Sequence, residues 1–96
     1  MTKEYDIINQ IISMNKRFPG FTCLVDEFIK LNEGIFQHNH TGGSTVLKVD
    51  DFVGMVSLFA KDGTFESSFH IWMKESFIEM IKVYQEKNLE ELINFI

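Results

Sequence analysis

Apolar residues recur every three or four positions at the start of the chain. Ile7, Ile11, Met14 and Phe18 fall on one line, and Ile8 and Ile12 widen it. That spacing predicts an amphipathic helix over 3–18. Thr2 is placed to cap its start. Glu4 and Asp6 sit in the first turn and Lys16 and Arg17 in the last, as the helix dipole favours. Pro19-Gly20 then stops it. Phe21, Leu24, Val25, Phe28, Leu31 and Ile35 keep helical spacing and predict a second helix over 22–33, with Thr22 as N-cap and Gly34 just past its end. The competing reading is a strand over 21–25, but apolar and polar positions do not alternate cleanly there.

After Gly34 the period shortens. Residues 64–73, TFESSFHIWM, alternate with period two. Phe65, Ser67, Phe69, Ile71 and Met73 share one face, while Thr64, Glu66, Ser68, His70 and Trp72 share the other. This is the pattern of a half-buried antiparallel strand. Residues 52–60, FVGMVSLFA, precede it across Lys61-Asp62-Gly63. Asp-Gly between two apolar stretches predicts a hairpin closed by a type I′ turn. The alternative for 50–60 is a helix capped by Asp50, against which stand Gly54 and the β-branched and aromatic positions. STVLKV at 44–49 predicts a further strand, and 35–39 pairs with it across the Thr-Gly-Gly turn. Met73, Phe77, Met80, Ile81 and Tyr84 return to helical spacing and predict a helix over 74–87. Asn88 and Glu91 imitate a capping box before a short helix over 89–96, with Leu89, Leu92, Ile93 and Ile96 on one face.

The chain thus predicts an α+β fold. It is a small single domain over 1–96 with two N-terminal helices, an antiparallel β-meander of three to four strands and a C-terminal helix. Ile11, Phe28, Phe69 and Phe77 are the expected core members, so the Phe65–Met73 row is read as facing the helices.

Ten phenylalanines in 96 residues are the unusual feature of the composition. A few aromatics carry a small core, since each buries roughly 150–250 Å². A surplus points to a partner surface. The formal charge is −5, and no basic cluster exceeds Lys16-Arg17. Direct nucleic-acid binding needs a basic stripe, so it is not expected. The single cysteine, Cys23, forms no intrachain disulfide and is expected to be buried as a small apolar residue. No apolar run reaches the ~18 residues of a membrane span, and MTKEYD lacks the order of a signal peptide. A reducing cytoplasm is the expected location.

IFQHNHTGGS at 35–44 is the stretch closest to recognisable chemistry. His38 and His40, two apart on a strand, project to one face. A metal site would need His70, Cys23 or a carboxylate such as Asp50 or Asp51 to join them. Thr41-Gly42-Gly43-Ser44 lacks the lysine and the following helix of a phosphate loop, and reads as a turn. Lys61-Asp62-Gly63-Thr64 does not continue as a calcium loop. Ser67, Ser68 and His70 are neighbours without an oxyanion-stabilising element. Asp50 and Asp51, adjacent on the chain, point apart and read as a turn or cap. No catalytic set emerges, and neither enzymatic activity nor a cofactor is expected.

What remains is the aromatic hairpin. Trp72, His70 and Glu66, with Asp50 and Asp51, are read as an exposed partner-binding surface of aromatic anchors and acidic rim. The expected function is a small acidic protein-binding module with a basic-surfaced protein as partner. Toxin-immunity proteins and phage proteins that block host defence are the analogous class in size and charge. The alternatives are a structural homo-oligomer, and a metal or small-ligand domain built on His38, His40 and His70.

Overall fold

The computed structural model describes residues 3–32 and 34–94. Elements follow in the order α1 (Lys3–Arg17), α2 (Phe21–Leu31), β1 (Gly34–His40), β2 (Gly43–Val49), β3 (Val53–Phe59), β4 (Phe65–Met73), α3 (Lys74–Glu86) and α4 (Leu89–Asn94). The four strands form one antiparallel sheet in chain order. The α+β architecture is therefore as the periodicity indicates, and within 50–60 the chain forms a loop and then strand β3, not a helix. The expected cap at Thr2, Ile96 and the side chain of Leu92 lie outside the described residues.

The helix ends differ in detail from their sequence signals. Gly20, not Thr22, caps α2, with φ of 81° and no side-chain bond. A Cβ at Gly20 would lie 2.1 Å from the His38 ring, so glycine is required by space as well as by φ. Thr22 turns back to α1, where its Oγ1 donates to Asn15 Oδ1 at 3.2 Å. The far end of α2 closes on Asn32, at φ 74°, whose N–H reaches the Phe28 carbonyl. Gly34 is then free to open β1.

The hairpin turns also depart from expectation. Between β3 and β4 only Gly63 has positive φ, at 88°. Ala60 N–H donates to the Thr64 carbonyl and Gly63 N–H to the Ala60 carbonyl. This is a three-residue loop, a type I turn followed by a left-handed glycine, and not the type I′ turn. Asp62 Oδ1 accepts from Thr64 N–H at 2.9 Å and fixes it. Between β2 and β3, Asp50 does the capping chemistry expected of a helix start, but for a loop. Its Oδ1 accepts from Phe52 and Val53 N–H at 2.8 and 2.9 Å.

All the long helices lie against one face of the sheet. Ile11, Met14 and Phe18 meet Phe21, Leu24, Val25 and Phe28 of α2, and Phe77, Met80, Ile81 and Tyr84 of α3. Phe36, Leu47, Val56 and Trp72 rise from the sheet to meet them. Ile11, Phe28 and Phe77 are buried as expected, but Phe69 is not. Trp72 is 5% exposed and Phe69 44%, so the assignment of the two β4 faces is reversed. Alternation supplies the period of this strand but points to the wrong face, because the exposed row carries Phe65, Phe69, Ile71 and Met73 while Trp72 is the one bulky apolar residue of the buried row. The buried face is set by Gly54, which pairs with Trp72. A Cβ on Gly54 would sit 2.9 Å from the Phe77 ring, so the gap it leaves receives that ring beside the indole. Phe77 and Phe21 ring centroids lie 5.4 and 6.0 Å from Trp72.

Candidate protein-binding face

Antiparallel partners share a face, and the sheet register sets out the side away from the helices in three rows. They run Ile35–Lys48–Met55–Ile71, then Gln37–Val46–Ser57–Phe69, then Asn39–Ser44–Phe59–Phe65. Val53 and Met73 add a further pair beyond the first row. No described element covers this side. Phe65, Phe69, Ile71 and Met73 are 47, 44, 50 and 64% exposed. The Phe65 ring bridges Phe59 and Phe69, at centroid separations of 5.7 and 6.1 Å. Phe52, more exposed still, stands at the β2–β3 loop where its carbonyl accepts the Lys74 N–H. Scattered exposed apolar residues are ordinary, but these form a contiguous row.

The exposed apolar row thus belongs to the side read from sequence as internal, and Trp72 belongs to the core. Trp72 Nε1 donates to Gln10 Oε1 at 3.2 Å, which satisfies its polar atom within the fold. His70 lies beside it on the helix side, 4.5 Å between ring centroids. Burial, and secondarily the Arg17 charge, holds the His70 imidazole below its ordinary pKa. The acidic candidates remain at the surface. Asp50 and Asp51 occupy the β2–β3 loop at one end of the outer face, and Glu66 lies near the other end in a bulge of β4. There β4 spends five residues, Phe65 to Phe69, against three on β3, Ser57 to Phe59, and Ser67 takes φ of 63°. Backbone N–H groups of Val53 and Phe52 hold the Asp50 carboxyl below the usual carboxylate range.

The histidines do not converge. His38 and His40 lie side by side on β1, ring centroids 6.5 Å apart. His70 lies on β4, the opposite edge of the sheet. His40 Nε2 meets Thr45 Oγ1 at 3.3 Å, and that hydroxyl also donates to the Pro19 carbonyl. These rings join the α1–α2 corner to the sheet. Among the described residues no group of three His, Cys, Asp or Glu side chains is placed to hold a metal ion. Cys23 is exposed, contrary to expectation. At 100° per residue it points away from the Phe21–Leu24–Val25–Phe28 stripe, so the helical spacing already held that answer. Ser67 and Ser68 are spent on the bulge and on a contact from Arg17 Nε to Ser68 Oγ at 3.4 Å. No helix of the described residues is long and apolar enough to cross a membrane. Comparison with family models, with curated proteins and with solved structures returned no match.

Proposed function

We propose that this chain is a small, non-catalytic module that binds another protein through the outer face of its sheet. The observation that carries the reading is the uncovered row Phe65, Phe69, Ile71 and Met73, beside Met55 and Phe59. Taking ~200 Å² for a fully exposed large side chain, the outward apolar side chains offer about 500–700 Å². A stable interface takes roughly 600–1,000 Å² from each partner. Asp50 and Asp51 at one end and Glu66 near the other make an acidic rim, so the complementary partner carries an apolar centre and basic margins. The acidic chain, at −5, would favour fast association with such a partner. Inhibition by occlusion, in the manner of toxin-immunity proteins or phage anti-defence proteins, is the role we assign to a module with one docking face and no reacting group of its own. A cytoplasmic setting suits its single exposed thiol.

The test compares capture from native-host extract by the natural chain and by Ile71→Lys. A protein retained by the natural chain, lost with Ile71→Lys and released by moderate salt supports the reading. The melting temperature of the variant must stay unchanged, since Ile71 is half exposed. Equal retention by both chains refutes it.

A further inference from the structure

A sheet open at both sides has two edges, and here they are treated differently. The β4 edge is guarded. Its ladder is broken by the bulge at Ser67, it carries Glu66, and the Arg17 guanidinium donates from Nη2 to the Phe69 carbonyl at 3.0 Å. Bulges, charges and side-chain covers are the devices by which edges avoid joining other strands. The β1 edge has none of them. Gly34 to His40 pair with β2 in seven unbroken steps. GIFQHNH holds no Lys, Arg, Asp, Glu or Pro. Among the described residues, no hydrogen bond from another element reaches its outward backbone groups. The other charge-free strand is β3, which lies inside the sheet. In carrying no charge β1 is like the interior strand β3, although it occupies an edge.

We propose that β1 is a self-pairing edge. Two copies join β1 to β1 in antiparallel register about a two-fold axis at Gln37, and their four-stranded sheets become one continuous sheet of eight. Charge selects a second copy as the occupant. In a chain of net charge −5, this is the edge at which a copy meets no like charge. Geometry agrees. Centring on Gln37 sets Ile35 beside Asn39 of the second copy and Phe36 beside its His38. Each pair keeps to one face, so the outer and inner surfaces run on without a step. A two-fold junction of this kind puts both outer faces on the same side of the dimer. One strand pair alone buries less than the ~1,200–2,000 Å² of a stable interface. The dimer therefore depends on concentration.

The test is molar mass in solution across a wide concentration range, by sedimentation equilibrium. The natural chain moves from 11.2 kDa toward twice that mass as concentration rises. Gln37→Glu sets two carboxylates against each other on the axis and weakens dimerisation at least tenfold. Its circular dichroism and melting stay unchanged, because Gln37 is exposed. If that variant fails to fold, Asn39→Lys, bearing the charge that guarded edges carry, gives the same loss. Ile71→Lys, on the outer face, leaves the mass unchanged. A natural chain that stays monomeric at every concentration overturns the proposal and leaves the outer face to be judged by its own capture experiment. A dimer dissolved by Ile71→Lys but not by Gln37→Glu also overturns it, and assigns self-association to the face. Protection of β1 amides only on adding a foreign extended peptide overturns the second copy as occupant.

Discussion

Replacing Trp72 by alanine separates a core indole from a surface anchor. The side chain is almost fully buried, with its ring among Phe21, Phe77 and His70 and its Nε1 bonded to Gln10. Removing ~150–250 Å² of buried aromatic surface at about 25 cal/mol per Å² forfeits roughly 4–6 kcal/mol. Partial collapse of the site brings that toward the ~3–5 kcal/mol typical of Trp→Ala in cores. In a domain of this size about 1 kcal/mol shifts Tm by roughly 4–8 °C, so the melt falls by at least ~12 °C. Urea unfolding followed by tyrosine fluorescence and circular dichroism gives the free energy, provided the slope with denaturant is unchanged. Trp72→Phe keeps a ring and loses the Gln10 bond, and retains most of the stability. Phe69→Ser, on the outer face, stays within about 1 kcal/mol of the natural chain. A loss below ~1 kcal/mol at Trp72, or a loss at Phe69 equal to that at Trp72, would refute the assignment of the two faces.

The turns and polar contacts give further tests. Gly63 has φ of 88° and open space around its Cα, so Gly63→Ala costs only the backbone term of about 1–2 kcal/mol in chemical denaturation. Gly20→Ala costs more than Gly63→Ala, because its new methyl meets the His38 ring as well. The Asp50 carboxyl, held below its ordinary value of 3.8 by the Val53 and Phe52 N–H groups, stabilises the fold above that value and loses its effect as pH falls through the lower native one. The stability difference between the natural chain and Asp50→Ala therefore persists at neutral pH and shrinks in strong acid. Tyr84 donates its hydroxyl to Asp26 Oδ1 at 3.0 Å, so Tyr84→Phe loses about 1 kcal/mol in the same unfolding assay. Burial and Asp26 raise the Tyr84 phenol far above its ordinary value of 10.0, so the phenol contributes to alkaline unfolding once pH passes that value.

Much of this fold is legible in the sequence because it rests on period. The α1 and α3 stripes name their own buried residues, and the Asp62-Gly63 signal locates the β3–β4 connection even though the turn type differs. The face of β4 is misread from β4 alone, since the Phe69 row is the more apolar of the two and yet faces outward. The clue lies on the neighbouring strand, where Gly54 makes room for Phe77 against the Trp72 side. A pairing register is needed before that clue has meaning. The candidate surface inherits the same misreading. Asp50, Asp51 and Glu66 are exposed, but the exposed apolar row lies on the side opposite to the one read from sequence. The bulge at Ser67 carries no local signal of the usual kind, because serine and not glycine takes the left-handed conformation there.

The sandwiching of Phe77 between Phe28 and Trp72 bears on how the chain is made. The central ring of the core comes from α3, after all four strands have left the ribosome, and α1 also leans on α3. Local hairpins can form early, yet the helix side of the sheet keeps an open trough at Gly54 until residues 74–86 emerge. A chain from which the strands have emerged but α3 has not shows apolar surface on both sides of its sheet. At ~5–20 residues per second, that doubly exposed interval lasts on the order of seconds. The sheet's helix side therefore closes last, when α3 docks.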